Sequence, residues 1–252
     1  MRRYILVLAM GFACMLANGQ KLQKDEFAKA NAYYNDSKYD SAMIIYHRII
    51  DEGYVSAQLY YNIGNTYFKL RNIPMSIYYY ECALKHEPNN KDIKNNLSVA
   101  NALITDKIEP LPVFFVTRWW RNAGNILSAD GWATCSIIVF AILLTTLFRY
   151  ITAHTKAAKK SMFFTTLLAL VIFVASVVFA TNKSRYMKSN DEAIIMKPTI
   201  TVKSSPSSSG VDLFVLHEGT KVKIEETEGD WNKIKIADGS IGWLSEDAML
   251  RF

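Results

Sequence analysis

Residues 57–90 read AQLYYNIGNTYFKLRNIPMSIYYYECALKHEPNN, and their pattern decides the fold of the N-terminal half. Apolar and aromatic residues recur at helical spacing on both sides of Arg71-Asn72. Pro88 stops the second run, because a helix-interior proline lacks an amide donor and clashes with the turn before it. Residues 23–56 show the same signposts 34 positions earlier. Ala30 matches Gly64, Tyr33 matches Tyr67, Ala42 matches Ser76 and Tyr46 matches Tyr80. A repeat of this length predicts helix pairs that bury their apolar faces on one another. Gly64 and Ser76 are small where the two helices of a pair should cross, and Tyr67 and Tyr80 are large enough to fill the space between neighbours. The first copy is looser, with Ile49 and Tyr54 where the second has Ala83 and Pro88. Residues 91–106 bring Ile93, Leu97, Ala100, Leu103 and Ile104 at helical spacing and predict a last helix that closes the array.

Tyr60, Ile63, Gly64, Tyr67, Ser76, Tyr80, Ala83 and Pro88 resemble the tetratricopeptide repeat in register. That resemblance implies a peptide-binding concave face formed by the first helix of each pair. By matching positions the face would hold Phe27, Asn31, Tyr34, Tyr61, Asn62, Asn65, Phe68 and Asn96. Some members of the family grip a carboxyl terminus with Asn and Lys or Arg. Here Asp92 and Asn96 stand where the cations would be, so a carboxylate clamp is not expected. The asparagines suit the amides of a peptide backbone, and the rings offer contact area. The same side chains also suit helix capping and packing.

Outward from the repeats, Glu109-Pro110-Leu111-Pro112 cannot continue a helix. Phe114 to Arg121 then sets aromatic rings beside arginines, as a membrane interface favours. Two uncharged runs follow, Gly131–Phe148 and Met162–Ala180, and each predicts a transmembrane helix. The loop between them carries Arg149, Lys156, Lys159 and Lys160 with no acid, which predicts a cytoplasmic location. At the other end of the chain, Arg2-Arg3, an apolar run from Tyr4 to Leu16 and Ala17-Asn18-Gly19 predict a signal peptide cleaved after Gly19. Lipidation at Cys14 and a retained anchor are the alternatives. Export followed by two spans puts both flanking domains outside the inner membrane, on the periplasmic side.

The net charge of +6 resolves along the chain in the same way. Residues 20–112 hold 11 basic and 11 acidic side chains, residues 113–189 hold 9 and 1, and residues 190–252 hold 7 and 11. The excess surrounds the apolar runs, so it calls for no nucleic acid. Four scattered histidines and three cysteines without metal-ligand spacing predict no metal, no cofactor and no disulfide framework.

From residue 190 the period changes to that of β-strands. Ala193–Met196, Thr199–Lys203, Lys221–Ile224 and Lys233–Ile236 are short and β-branched, with turns at 206–210, 228–230 and 238–239. Thr201-Val202-Lys203-Ser204-Ser205-Pro206, Leu216-His217-Glu218-Gly219-Thr220, Gly229-Asp230-Trp231 and Gly242-Trp243-Leu244 occur in an order that resembles a bacterial SH3-like domain. The resemblance implies a barrel of five or six strands that binds cell-wall peptides or proteins. Trp231 and Trp243 are its candidate groove residues, and half-buried packing explains them equally well.

The fold class expected is therefore multidomain: an all-α tetratricopeptide array, a two-helix transmembrane hairpin and an all-β SH3-like barrel. The parts run 1–19 signal peptide, 20–108 repeats with a capping helix, 109–130 linker and interfacial segment, 131–151 first span, 152–161 loop, 162–180 second span, 181–192 linker and 193–252 barrel. This order resembles the BatE family of aerotolerance-operon membrane proteins. The closest likeness lies in Asp106–Pro112, Thr117–Trp120 and Phe214–Thr220. That resemblance implies partners among Bat-type membrane proteins with von Willebrand-type domains and a MoxR-type ATPase. The chain holds no phosphate-binding loop, HExxH or GxSxG and no plausible pair of catalytic carboxylates, so the expected role is a non-enzymatic scaffold or adaptor. Recognition of peptidoglycan by the barrel is the alternative.

Overall fold

The computed structural model describes residues 24–252, so the expected signal peptide and Cys14 lie outside the described residues. Two compact bodies are present. One is the chain up to Pro110 together with Asn190–Phe252, and the other is Leu111–Ser189.

The helical part of the first body contains α1 (residues 24–35), α2 (Tyr39–Asp51), α3 (Ala57–Lys69), α4 (Ile73–His86) and α5 (Lys91–Asn101). The 34-residue period extends to the joints between helices. Ser37 and Arg71 take positive φ of 61° and 63°, and the amides of Lys38 and Asn72 donate to the carbonyls of Tyr33 and Tyr67, five residues back. This left-handed closure satisfies terminal carbonyls and turns the chain into the next helix. The side chains of Ser56, Asn72 and Asn90 accept from amides in the first turns of α3, α4 and α5. Tyr80 is buried against Gly64, where an added Cβ would lie 2.6 Å from Cδ1 of the ring. Beside it the Ser76 hydroxyl donates to the Gly64 carbonyl at 2.9 Å. The small residues therefore permit the crossing expected of them. Helix α5 buries Ile93, Leu97 and Ala100 but ends at Asn101, earlier than the expected 91–106, and Leu103 is exposed.

The C-terminal part is one antiparallel seven-stranded sheet: β1 (Glu192–Ile195), β2 (Thr199–Lys203), β3 (Asp212–His217), β4 (Lys221–Glu228), β5 (Trp231–Lys235), β6 (Ile241–Ser245) and β7 (Met249–Arg251), in the order β3-β2-β6-β5-β4-β1-β7. Val202, Leu216, Val222, Ile234 and Leu244 supply its core at alternate positions, as strand pleating requires. β3, β6 and β7 lie outside the alternating runs of the sequence, and the count exceeds the expected five or six strands.

The helices and the sheet share a core within this body. Ile194 from β1 and Phe252 after β7 join a helical cluster with Ile77, Tyr80 and Leu97, while Ile108 packs against the sheet core. Gly219 (φ +86°) lets the β3–β4 turn approach the helical side, since a Cβ there would come 2.5 Å from Ile104 Cγ2. Asp106 seals the joint. Its carboxylate accepts from the His217 amide (2.8 Å), His217 Nδ1 (2.7 Å) and the Thr220 hydroxyl (2.6 Å). Burial alone would raise this carboxyl, but the hydrogen bonds from Thr220 and His217 outweigh it and hold the group below its ordinary value of 3.8. Lys221 pairs with Glu81 of α4 at 2.9 Å and with Glu192 of β1 at 3.1 Å.

The second body comprises α6 (Phe115–Gly124), α7 (Ala129–Thr152) and α8 (Lys156–Lys188). Helices α7 and α8 are long and apolar enough to cross a membrane, and α8 extends beyond the uncharged run 162–180 at both ends. Ser128 caps α7 by accepting from the Gly131 amide at 3.1 Å.

Candidate functional site

The first helices of the pairs, α1 and α3, together with α5, line two adjoining cavities of about 370 and 240 Å³ that share Tyr34 and Asn65. Asn31 and Asn62 face the smaller, and Tyr61, Phe68 and Asn96 face the larger. Seven of the eight residues expected on a concave face are thereby brought together. Phe27 is not among them. It lines a separate 140 Å³ cavity with Tyr54 and Leu59, and its ring packs against Tyr46.

A hydrogen-bond unit recurs through the groove with the period of the sequence. Asn31 Oδ1 accepts from the Tyr46 hydroxyl (2.6 Å) and Asn62 Nδ2 (2.8 Å). One repeat later Asn65 Oδ1 accepts from the Tyr80 hydroxyl (2.7 Å) and Asn96 Nδ2 (2.8 Å). Asn96 Nδ2 also donates to the Tyr61 hydroxyl at 3.0 Å. Burial pushes the Tyr46 and Tyr80 hydroxyls up to about 12, so both stay protonated and serve as donors. A donating tyrosine must meet the oxygen of the amide, which fixes the orientation of Asn31 and Asn65. Their Nδ2 groups, and the Oδ1 of Asn96, make no hydrogen bond among the described residues. Packing thus occupies at least one polar atom of each of these side chains.

The groove also contains residues that family positions did not indicate. Lys69 and Val99 line the larger cavity and Asn35 the smaller. Lys69 and Asn35 follow Asn65 and Asn31 by four residues, and Val99 follows Asn96 by three, so helical periodicity from the asparagines could have found them. The charged side chain on the wall is Lys69, while Asp92 lines neither cavity. Neither cavity is lined by a carboxylate. Such a surface can donate to carbonyl oxygens, accept at the amide oxygens of Asn35 and Asn96 and pack against apolar side chains.

On the sheet, Trp231 and Trp243 are half-buried on the outer face. Trp231 pairs with Ser245 and Lys233 with Trp243, so the two tryptophans are diagonal neighbours with Lys233 beside them. Among the described residues no group of three or more His, Cys, Asp or Glu side chains is placed to hold a metal ion. Cys82 is buried, and burial pushes its thiol up to about 12, which makes it a poor nucleophile.

Two family models match parts of the chain. Residues 57–90 match the tetratricopeptide repeat, and residues 198–249 match the bacterial SH3 domain. The first match covers the better of the two repeat copies, although α1 and α2 repeat the same joint and the same hydrogen-bond unit. The second leaves out β1 and Phe252, which dock the sheet on the helices. No curated protein matches the chain. Both matched families are typically non-catalytic interaction modules, so the chain combines a helical repeat array with an SH3-like sheet suited to binding proteins or cell-wall material.

Proposed function

We propose that the protein is a membrane-anchored adaptor that holds an extended segment of a partner protein in the groove of its repeats. The observation that carries this reading is the repeated Asn–Tyr–Asn unit, which leaves amide donors facing an open cleft walled by Tyr34, Tyr61 and Phe68. Backbone carbonyls occur in every partner, so such a groove reads the run of a chain, and its rings and Val99 select side chains. A Bat-type protein with a von Willebrand-type domain is the partner that the resemblance of the whole chain suggests, with a MoxR-type ATPase in the same assembly.

The adaptor would sit in the inner membrane with both ends of the hairpin on the periplasmic side. Support comes from the first body, because Ile108 packs against the sheet core while Ile194 and Phe252 enter the helical cluster. A body built from both flanks of a hairpin cannot fold across a bilayer. An even number of crossings is therefore required, independently of any signal peptide. The cations around the α7–α8 joint, Arg149, Lys156, Lys159 and Lys160, are matched by those at the far end, so the expected signal peptide supplies the direction. Cysteines introduced at Ser37, Ser161 and Ser208 and exposed to an impermeant thiol reagent in spheroplasts should label at the first and last only. Labelling at Ser161, or disagreement between the other two, overturns the topology.

A photo-crosslinking amino acid at Val99, in the full chain in its native membrane, tests the groove. Capture of a discrete partner segment, weakened when Tyr61 and Phe68 are both changed to alanine, is expected. Capture that is lost when the partner's carboxyl terminus is amidated would show that the groove reads a chain end and would overturn the backbone reading. Recognition of peptidoglycan by the sheet is the second reading, favoured by Trp231, Lys233 and Trp243 on one outer face. Co-sedimentation with purified sacculi, abolished by Trp243→Ala, would select it.

A further inference from the structure

Helix α6 has a sharply divided surface. Phe115, Val116 and Trp119 share one side of a 3.6-residue helix, while Thr117, Arg118 and Arg121 share the other. Phe115 and Trp119 are 71% and 68% exposed, so nothing in the second body covers that apolar side. The other half of the ring system fixes the height of the helix. Phe179 of α8 lies between Trp120 (4.6 Å between centroids) and Trp132 (4.8 Å), and Trp132 Nε1 donates to the Gly124 carbonyl at 2.9 Å. One turn further along α8, Lys183 Nζ donates to Asn125 Oδ1 at 2.9 Å. These contacts pin α6 where the uncharged run of α8 ends at Ala180 and that of α7 begins at Gly131.

Charge at this level is one-sided. Arg118, Arg121, Lys183, Arg185 and Lys188 face a single acid in the whole second body, Asp130. The opposite end carries four cations, Arg149, Lys156, Lys159 and Lys160, so these five run against the positive-inside bias and orientation does not account for them. Arg118, Arg121, Arg185 and Lys188 are exposed, and no ion pair engages them among the described residues.

We propose that α6 is a collar lying in the membrane interface, with Arg118 and Arg121 binding the phosphates of anionic phospholipid headgroups and Phe115 and Trp119 seated in the acyl boundary below. The site rests on the reading of α7 and α8 as spans. Bilayer lipid is the occupant because the apolar side and the arginines are fixed at the edge of the apolar run, where hydrocarbon gives way to phosphate. Lys183 acts as a positioning residue that holds the turn after α6.

The full chain, carrying Trp231→Phe and Trp243→Phe to isolate the tryptophans of the second body, is reconstituted into phosphatidylcholine vesicles. Either brominated phosphatidylcholine or brominated phosphatidylglycerol is added as quencher. Stronger quenching by the phosphatidylglycerol is expected, with the preference falling about fivefold for each of Arg118→Gln and Arg121→Gln and surviving Arg121→Lys. Equal quenching by the two lipids, or a preference that persists in the double glutamine variant, overturns the headgroup site. Absence of quenching by either lipid overturns the bilayer reading beneath it as well.

Discussion

The two faces of the repeat array use similar residues for opposite ends. The face of α1, α3 and α5 is open, and its asparagines are half-buried, with one side of each amide committed inward. The face of α4 is closed by the sheet, where Ile77, Tyr78, Glu81 and Lys85 meet Gly219, Arg251, Lys221 and Phe252. On the closed face every strong interaction spans more than a hundred residues of sequence and contributes to stability. On the open face the interactions stay within neighbouring repeats and leave donors over. Covering one side of a repeat array makes it rigid, and leaving the other side bare keeps it available to a partner.

The largest test of this contrast is Gly64→Leu, because Tyr80 belongs to both faces. Its ring fills the space beside Gly64, and its hydroxyl orients Asn65. Forcing the ring away should cost about 3 kcal/mol or more and abolish partner capture together with the fold, as read by far-ultraviolet circular dichroism and proteolysis. If helicity survived and capture alone failed, the two faces would be less coupled than the packing requires.

Phe252→Ala addresses the closed face alone. The ring is buried, meets Tyr78 edge-on at 5.8 Å and lies 5.3 Å below each of Lys85 Nζ and Lys221 Nζ. Its loss should cost about 3–4 kcal/mol and expose the linker near Asp106 to protease while leaving the groove hydrogen bonds in place. Protection equal to the native chain would mean that the sheet is held by other contacts.

Asp106→Ala should cost about 2–3 kcal/mol, since it strands the His217 amide and the buried Thr220 hydroxyl. The same carboxylate predicts a pH dependence. Its folded value lies below its ordinary one, so its contribution is full above the unfolded value and is lost as pH falls through the folded value. Thermal melts of the native chain should therefore weaken more than those of the alanine variant as pH drops below about 4. Parallel curves would remove Asp106 from the joint's energetics.

The smallest effect is expected at Lys69→Ala on the open face. Stability should change by less than about 0.5 kcal/mol, because the side chain is exposed and carries no ion pair among the described residues. Capture of an acidic partner segment should weaken a few-fold, and more at low salt than at high. An effect independent of salt would assign Lys69 to packing.

The 34-residue period, the two uncharged runs and the alternation of β2, β4 and β5 are legible in the sequence. Each is a local pattern that recurs within a turn of helix or a few residues of strand, which is why the residues alone determine it. Tertiary structure decided the rest. Ile194 and Phe252 look like ordinary strand residues, and nothing periodic links them to Ile77, because a docking surface has no repeat for the sequence to display. Phe27 occupies a matching family position yet turns toward Tyr46, and Lys69 enters the groove from one turn beyond Asn65. The orientation of Asn31 and of Asn65 depends on a tyrosine 15 residues away that burial keeps protonated, and burial is a property of the folded chain.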